Sequence, residues 1–302
     1  VRLEPSPERP GPAVSPPDPK TPPTADRTAA AAALSAARDA MAAGDVTTAI
    51  DILETINRTA RDAEVSFTLG VWTLSAENPE QALDHFQNAA HLAPGVAEVF
   101  INIAAAAVRL GRHDEAVGAA QKAIELAPDR DVARGALGNA LAAMGHLEAA
   151  EAAFLEAHTR APETLSWMLN LGDCLLTRGD PNAARGWFNQ AAACDPTSVI
   201  ALNGLGLCHQ AQADHAAAIS FFEKALRQRD QYPEALGNLG VSLQCLGRHE
   251  DALVVARRSV ELAPGDPGGA LNLGHILQSL GRHTEAVETY EDALRIDPAL
   301  SG

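Results

Sequence analysis

Near the end of the chain, apolar residues fall three or four positions apart in two successive runs: Leu277 and Leu280, then Val287, Tyr290 and Leu294. That spacing puts each run on one face of a helix. Gly281 separates the runs, and glycine stands at the same kind of break at 111, 145, 179 and 247. Each break predicts a turn between two helices. Start signals follow the breaks, for Asn78-Pro79-Glu80 and Asp180-Pro181 each offer a capping side chain and then proline at the first helical position. The second helices are predicted to end at Pro94, Pro128, Pro162, Pro196, Pro264 and Pro298, because proline supplies no N–H to the helix.

Those prolines lie 34 residues apart or at a multiple of it. The gap in the series falls at Asp230, with a proline three residues later. Seven repeats therefore run in phase: 63–96, 97–130, 131–164, 165–198, 199–232, 233–266 and 267–300. Position eight is Gly70, Ala104, Gly138, Gly172, Gly206, Gly240 and Gly274. Position twenty is Ala82, Ala116, Ala150, Ala184, Ala218, Ala252 and Ala286. Position twenty-four is Phe86, Phe154, Phe188, Phe222 and Tyr290, with Ala120 and Ala256 in the other two repeats. Small residues mark where the two helices come closest, and the aromatic is expected to fill the space beside them.

This pattern resembles the tetratricopeptide repeat family over roughly four-fifths of the chain. Two departures are local: alanine replaces the aromatic twice, and tryptophan is absent from position four. The resemblance implies an all-α fold, a right-handed α-solenoid of helix pairs. It also implies that positions 2, 5, 6, 9, 12 and 13 of each first helix line a concave groove. Residues 29–62 read as a degenerate N-terminal repeat acting as a cap, with Gly44, Asp45 and Ala49 echoing the turn and the small-residue column. Residues 1–27 hold nine prolines and read as a disordered tail or linker, with P-x-x-P spacings at 7–10, 16–19 and 19–22.

Composition narrows the function. A net charge of −16 argues against a nucleic-acid partner, whose binders carry a basic footprint. No apolar run has the length of a membrane span. The four cysteines, 174, 194, 208 and 245, form no C-x-x-C pair and are expected to be buried free thiols. Free thiols favour a reducing compartment, so a cytoplasmic location is expected, with a membrane-tethered or exported parent protein as the alternative. Only three of the 23 basic residues are lysines, and with the abundant alanine this suggests a GC-rich bacterial genome.

Chemistry is hard to find. His113, His215, His249 and His283 share position seventeen, and their neighbours Asp114 and Glu115 invite a metal reading. Identical columns of a repeat array are spread along it, so these histidines are expected to be structural, with no metal and no cofactor. Gly204-Leu205-Gly206 lacks the rest of a dinucleotide fingerprint, and no G-x-S-x-G or H-E-x-x-H motif occurs. Tail and repeats leave no stretch for a catalytic domain, so the chain is expected not to be an enzyme.

Binding remains. Position six carries Asn102, Asn170, Asn238 and Asn272, while Asn139 falls at position nine and Asn203 at position five. A primary amide donates and accepts like a peptide unit, so this row could hold an extended chain by its backbone. Superhelical glycosyltransferases that modify Ser/Thr with N-acetylglucosamine carry a similar asparagine ladder. By contrast, the chaperone-binding clamp of the family needs lysines and arginines in the groove. Lys20, Lys122 and Lys224 are off those positions, which leaves Arg109 and Arg134 isolated. Glu148, Glu151, Glu223, Glu250, Glu285, Glu288 and Glu291 fall on second helices, where they are solvated or steer a basic partner.

The expected function is thus a non-catalytic protein-interaction scaffold that binds an extended segment of a partner in the groove. Two alternatives stand beside it: a substrate-presenting array of a longer enzyme such as a glycosyltransferase, and a scaffold that self-associates through its last repeat. Both arise because the sequence stops at Ser301-Gly302 with no polar capping helix after Pro298. Gly268 and Gly269, in the first turn of that repeat, predict it to be the least stable part.

Overall fold

The computed structural model describes residues 25–301; residues 1–24 and 302, with the P-x-x-P spacings, lie outside them. Among the described residues the fold is all-α, and two compact units divide it at residues 162 and 163. The first unit holds α1 (Ala25–Ala42), α2 (Val46–Ala60), α3 (Ala63–Ser75), α4 (Pro79–Leu92), α5 (Ala97–Arg109), α6 (His113–Leu126), α7 (Asp131–Ala143) and α8 (Leu147–Arg160). The second holds α9 (Leu165–Thr177), α10 (Pro181–Cys194), α11 (Val199–Ala211), α12 (His215–Gln228), α13 (Pro233–Cys245), α14 (His249–Leu262), α15 (Pro267–Ser279) and α16 (His283–Ile296), then a short 3-10 turn at Pro298–Ser301. Helix α1 starts at Ala25, inside the span expected to be tail. Past Pro23 nothing breaks a helix, and the alanines after residue 28 propagate it backwards.

Within each unit every odd-numbered helix packs on the even-numbered helix that follows, and the pairs stack, as expected of an α-solenoid. The aromatic column holds each pair together. A Cβ placed on Gly70 would sit 2.5 Å from the Phe86 ring, and the same atom on Gly206 would sit 2.4 Å from Phe222. Gly138 meets Phe154 and Gly274 meets Tyr290 in the same way. Glycine at position eight is therefore the room that the ring occupies. Where Ala120 removes the ring, Ala104 stands at position eight, and both are buried.

Within each unit, each successive pair buries the apolar face of the one before. At position twenty-one, Leu83, Ile219 and Leu253 are 1%, 7% and 5% exposed beneath the next pair, while Val287, with no pair over it, is 55% exposed. Packing also sets the helix ends. Helix α12 stops at Gln228, at the same repeat position as the others, although Asp230 stands where proline was expected to end it.

Caps form where the sequence placed them. Asn78 accepts from the Gln81 N–H at 3.2 Å, and Asp180 from Ala183 at 3.0 Å. At α15, Asp266 accepts from both Gly268 and Gly269, at 3.0 and 2.9 Å. Side chains there would crowd its carboxylate, so the two glycines that weaken the first turn also let the cap close over it.

The turn glycines are left-handed, with φ from 69° at Gly111 to 87° at Gly179. Ala213 at φ 60° and Glu77 at φ 59° occupy the same column without glycine's freedom. Ala213→Gly is therefore expected to raise stability by about 0.5–1 kcal/mol, the left-handed strain on an L-residue being partly offset by glycine's larger unfolded-state entropy. Urea denaturation checks this, and an unchanged or lower midpoint would count against strain at the turn.

Candidate functional site

The faces of interest belong to the first helices. In the first unit α3, α5 and α7 lie side by side, and in the second α9, α11, α13 and α15 do so. Hydrogen bonds tie neighbours together along both faces. Arg109 donates to the Leu74 carbonyl at 3.0 Å, occupying a helix-end acceptor. Gln210 donates to the Asn238 carbonyl at 3.1 Å and to Ser242 Oγ at 2.9 Å. Gln244 repeats this one helix on, to the His275 carbonyl at 3.2 Å and Ser279 Oγ at 2.7 Å. These two glutamines share position twelve, and the recurrence was the signal that sequence reasoning passed over.

The six asparagines do not form a uniform row. On the first unit, Asn102 donates to the Glu98 carbonyl of its own helix at 2.9 Å, and Asn139 is half-buried on α7. On the second, Asn170 is half-buried on α9. Asn203 is 8% exposed, and its Oδ1 accepts from Asn238 Nδ2 at 3.1 Å. Asn272 lies close by, with Nδ2 3.8 Å from the point where a Cβ on Gly237 would be. The structure thus joins Asn203 and Asn238 across two helices, with Asn272 near the backbone of Gly237, while Asn102 bonds within its own helix through one N–H. The Asn238 side chain keeps one N–H and Oδ1 without a partner among the described residues, while its backbone carbonyl accepts from Gln210.

Neither isolated arginine is available to clamp a carboxylate. Arg134 is nearly buried, bonded to Glu156 at 2.8 Å and to the Pro128 carbonyl, and Arg109 is spent on Leu74. One acidic group stands out instead. Asp173 is half-buried on α9, and among the described residues its carboxylate has no cation or hydrogen-bond donor within reach. Burial alone pushes its pKa up to about 7.

The histidine column starts second helices: α6, α12, α14 and α16 begin at His113, His215, His249 and His283. Nδ1 of His113, His215 and His249 is buried without a hydrogen-bond partner among the described residues. Among the described residues no three histidine, cysteine or carboxylate side chains are grouped to hold a metal. The cysteines need a correction: Cys174 and Cys208 are buried, but Cys194 and Cys245 are exposed. The exposed pair sit at the last residues of α10 and α13, where a side chain no longer faces a neighbouring helix. Burial pushes the Cys208 thiol up to about 11, so it stays protonated and inert.

On the second helices Glu148, Glu223, Glu250, Glu288 and Glu291 are exposed, while Glu285 is paired with Arg282 at 2.6 Å and Arg257 at 3.1 Å. No helix among the described residues is long and apolar enough to cross a membrane.

Stacked helix pairs with a bridged first-helix face define a helical-repeat protein of the kind that generally serves as an interaction scaffold. Profiles of the tetratricopeptide repeat match residues 74–131 and 136–199, then 197–265 and 270–300, and the chain belongs to that family. Among solved structures it is similar to a tetratricopeptide repeat protein from Parabacteroides merdae, at 15% identity and a TM-score of 0.71 over 83% of this chain and 99% of that one. It is also similar to a thermophilic tetratricopeptide repeat protein from Thermus thermophilus, at 19% identity and a TM-score of 0.55 over 61% of this chain and 100% of the other. Both likenesses concern the fold. No curated protein matches the sequence.

Proposed function

We propose that this protein is a non-catalytic interaction scaffold whose second unit holds an extended segment of a partner protein by its main chain. The observation that carries the reading is the Asn203–Asn238 pair. Asn203 is almost fully buried and fixes one N–H of Asn238, while the rest of that side-chain amide has no partner among the described residues. An unpaired N–H beside an unpaired carbonyl oxygen matches the two groups of a peptide unit. Gln210 locks the backbone of the same residue through its carbonyl, so the amide is presented from a rigid helix. Main-chain recognition of this kind leaves wide latitude in partner sequence.

The test is selection from a phage-displayed library of random peptides of about twelve residues, roughly 40 Å when extended. The wild type is expected to retain peptides. Asn238→Ala is expected to weaken retention by roughly 3–10-fold, the worth of one or two hydrogen bonds. Asn102→Ala, in the first unit rather than the second, is expected to retain peptides as the wild type does. Circular dichroism would confirm that both variants fold. Equal retention by all three proteins would remove the asparagine pair from the binding face.

A further inference from the structure

A carboxylate half-withdrawn from water normally finds an arginine, a lysine or several N–H donors, because an unpaired buried charge is costly. Asp173 has none of these among the described residues. It lies three residues after Asn170 on α9, so the two side chains share one face of the helix. Burial chiefly raises the pKa of Cys208 on α11 and of Tyr232, the residue before α13, and the nearby Asp173 carboxylate adds to both. Arg185 acts on Cys208 from α10, and Glu234 and Arg229 act on Tyr232; none of these charges compensates Asp173. Position nine puts the carboxylate on the helix face that also carries positions five and six, where Asn203 and Asn238 stand on α11 and α13, and α9 lies beside α11.

We propose that Asp173 is the specificity-determining residue of this face, taking the ammonium or guanidinium group of a lysine or arginine carried by the extended partner segment. The proposal rests on the main-chain reading above and adds a side-chain preference to it. Charge complementarity supports a basic occupant twice over. A cation brought to an unpaired, partly desolvated carboxylate forms a charge-assisted hydrogen bond, and the net charge of −16 steers basic segments toward the molecule. Among the described residues no lysine or arginine would have to be displaced from Asp173 first.

A pH dependence follows. In the empty site burial favours the protonated carboxyl, while a bound cation favours the carboxylate. Binding of a lysine or arginine peptide then releases a proton from Asp173, and affinity rises with pH through about 7. The same burial makes ionised Asp173 a cost to the folded state. Its raised pKa means that the native form holds the proton more tightly than the unfolded chain, so this cost is absent well below the unfolded carboxylate pKa and complete above about 7. Asp173→Asn, nearly isosteric and neutral, is expected to be at least as stable as the wild type at roughly pH 8.

The experiment is the peptide selection repeated with wild type and Asp173→Asn at roughly pH 6 and roughly pH 8. Wild type at the higher pH is expected to enrich lysine or arginine at one fixed register, by on the order of tenfold over the starting library. Asp173→Asn is expected to keep binding peptides, through Asn238, while losing that enrichment and its pH dependence. If the wild type selects peptides with no basic preference, or if Asp173→Asn selects the same basic ones, the assignment of Asp173 is overturned while the main-chain reading stands. If the wild type selects no peptide at all, both fail. Thermal unfolding of Asp173→Asn accompanies the selection, and a variant less stable than wild type at the higher pH would mean that Asp173 is paired in solution, which also overturns the proposal.

Discussion

Phe188→Ala is expected to destabilise the 163–301 unit by roughly 3–5 kcal/mol, the upper range for deleting a buried aromatic. The ring is fully buried, and two glycines wall it in. A Cβ on Gly172, in its own repeat, would lie 2.7 Å from the ring, and one on Gly204, in the next, 2.5 Å. Neither glycine has a side chain to move into the vacated space, so the site relaxes poorly. The loss should also spread, since the ring joins α9, α10 and α11 and neighbouring repeats stabilise one another. Hydrogen exchange on α9 to α11, beside urea denaturation, is the appropriate measurement because a repeat array need not unfold in a single step. In the Phe188→Ala background, adding Gly172→Ala and Gly204→Ala is expected to restore part of the stability, a reversal of sign that marks direct coupling. The protein carries the same solution already: Ala104 and Ala120 occupy the corresponding columns of repeat 97–130. A Phe188→Ala variant within about 1 kcal/mol of wild type, or one that the added alanines destabilise further, would show that the ring does not fill this space.

The second expectation sets two glycines of the same column against each other. Gly206→Ala brings a Cβ to 2.4 Å from the buried Phe222 ring. Overpacking there costs about 1–3 kcal/mol, against a gain of about 1 kcal/mol from alanine's helix propensity. Gly240→Ala meets nothing closer than 3.5 Å, from Ile276 and Val255, because Ala256 stands where the ring would be. Only the propensity gain of about 0.5–1 kcal/mol remains there. One substitution should therefore lower the denaturation midpoint and the other raise it. Midpoints that move in the same direction would separate the glycine column from the aromatic one.

This covariation shows how much of the fold was readable in the sequence. The period, the turn glycines, the capping Asn78 and Asp180 and the glycine–aromatic complement were all visible, because each depends on residues within one repeat. Helix α12 ends in phase even though Asp230 stands in for the proline, whereas the cysteine reading went astray, for Cys194 and Cys245 are exposed although two other cysteines are buried. What decides them is the packing of adjacent helices.

The candidate site was less legible. Position numbering places Asn102 and Asn238 in the same column, yet one amide closes on its own helix and the other bonds across to Asn203. Gln210 and Gln244 pass unremarked in the sequence and bridge successive first helices in the structure. Asp173 at position nine carries no signal in the sequence, and its lack of a cation among the described residues is seen only in the structure.

By itself the sequence determined the helix pairs, their spacing and the face that each first helix turns to its neighbours. Those follow from local propensity, steric limits on glycine and proline, and a hydrophobic period that repeats seven times. Only the tertiary structure decided which polar groups on that face are spent and which are left over. Hydrogen bonds between side chains some 35 residues apart depend on where two helices bring their atoms, and a repeat column specifies the helix face but not the partner that meets it.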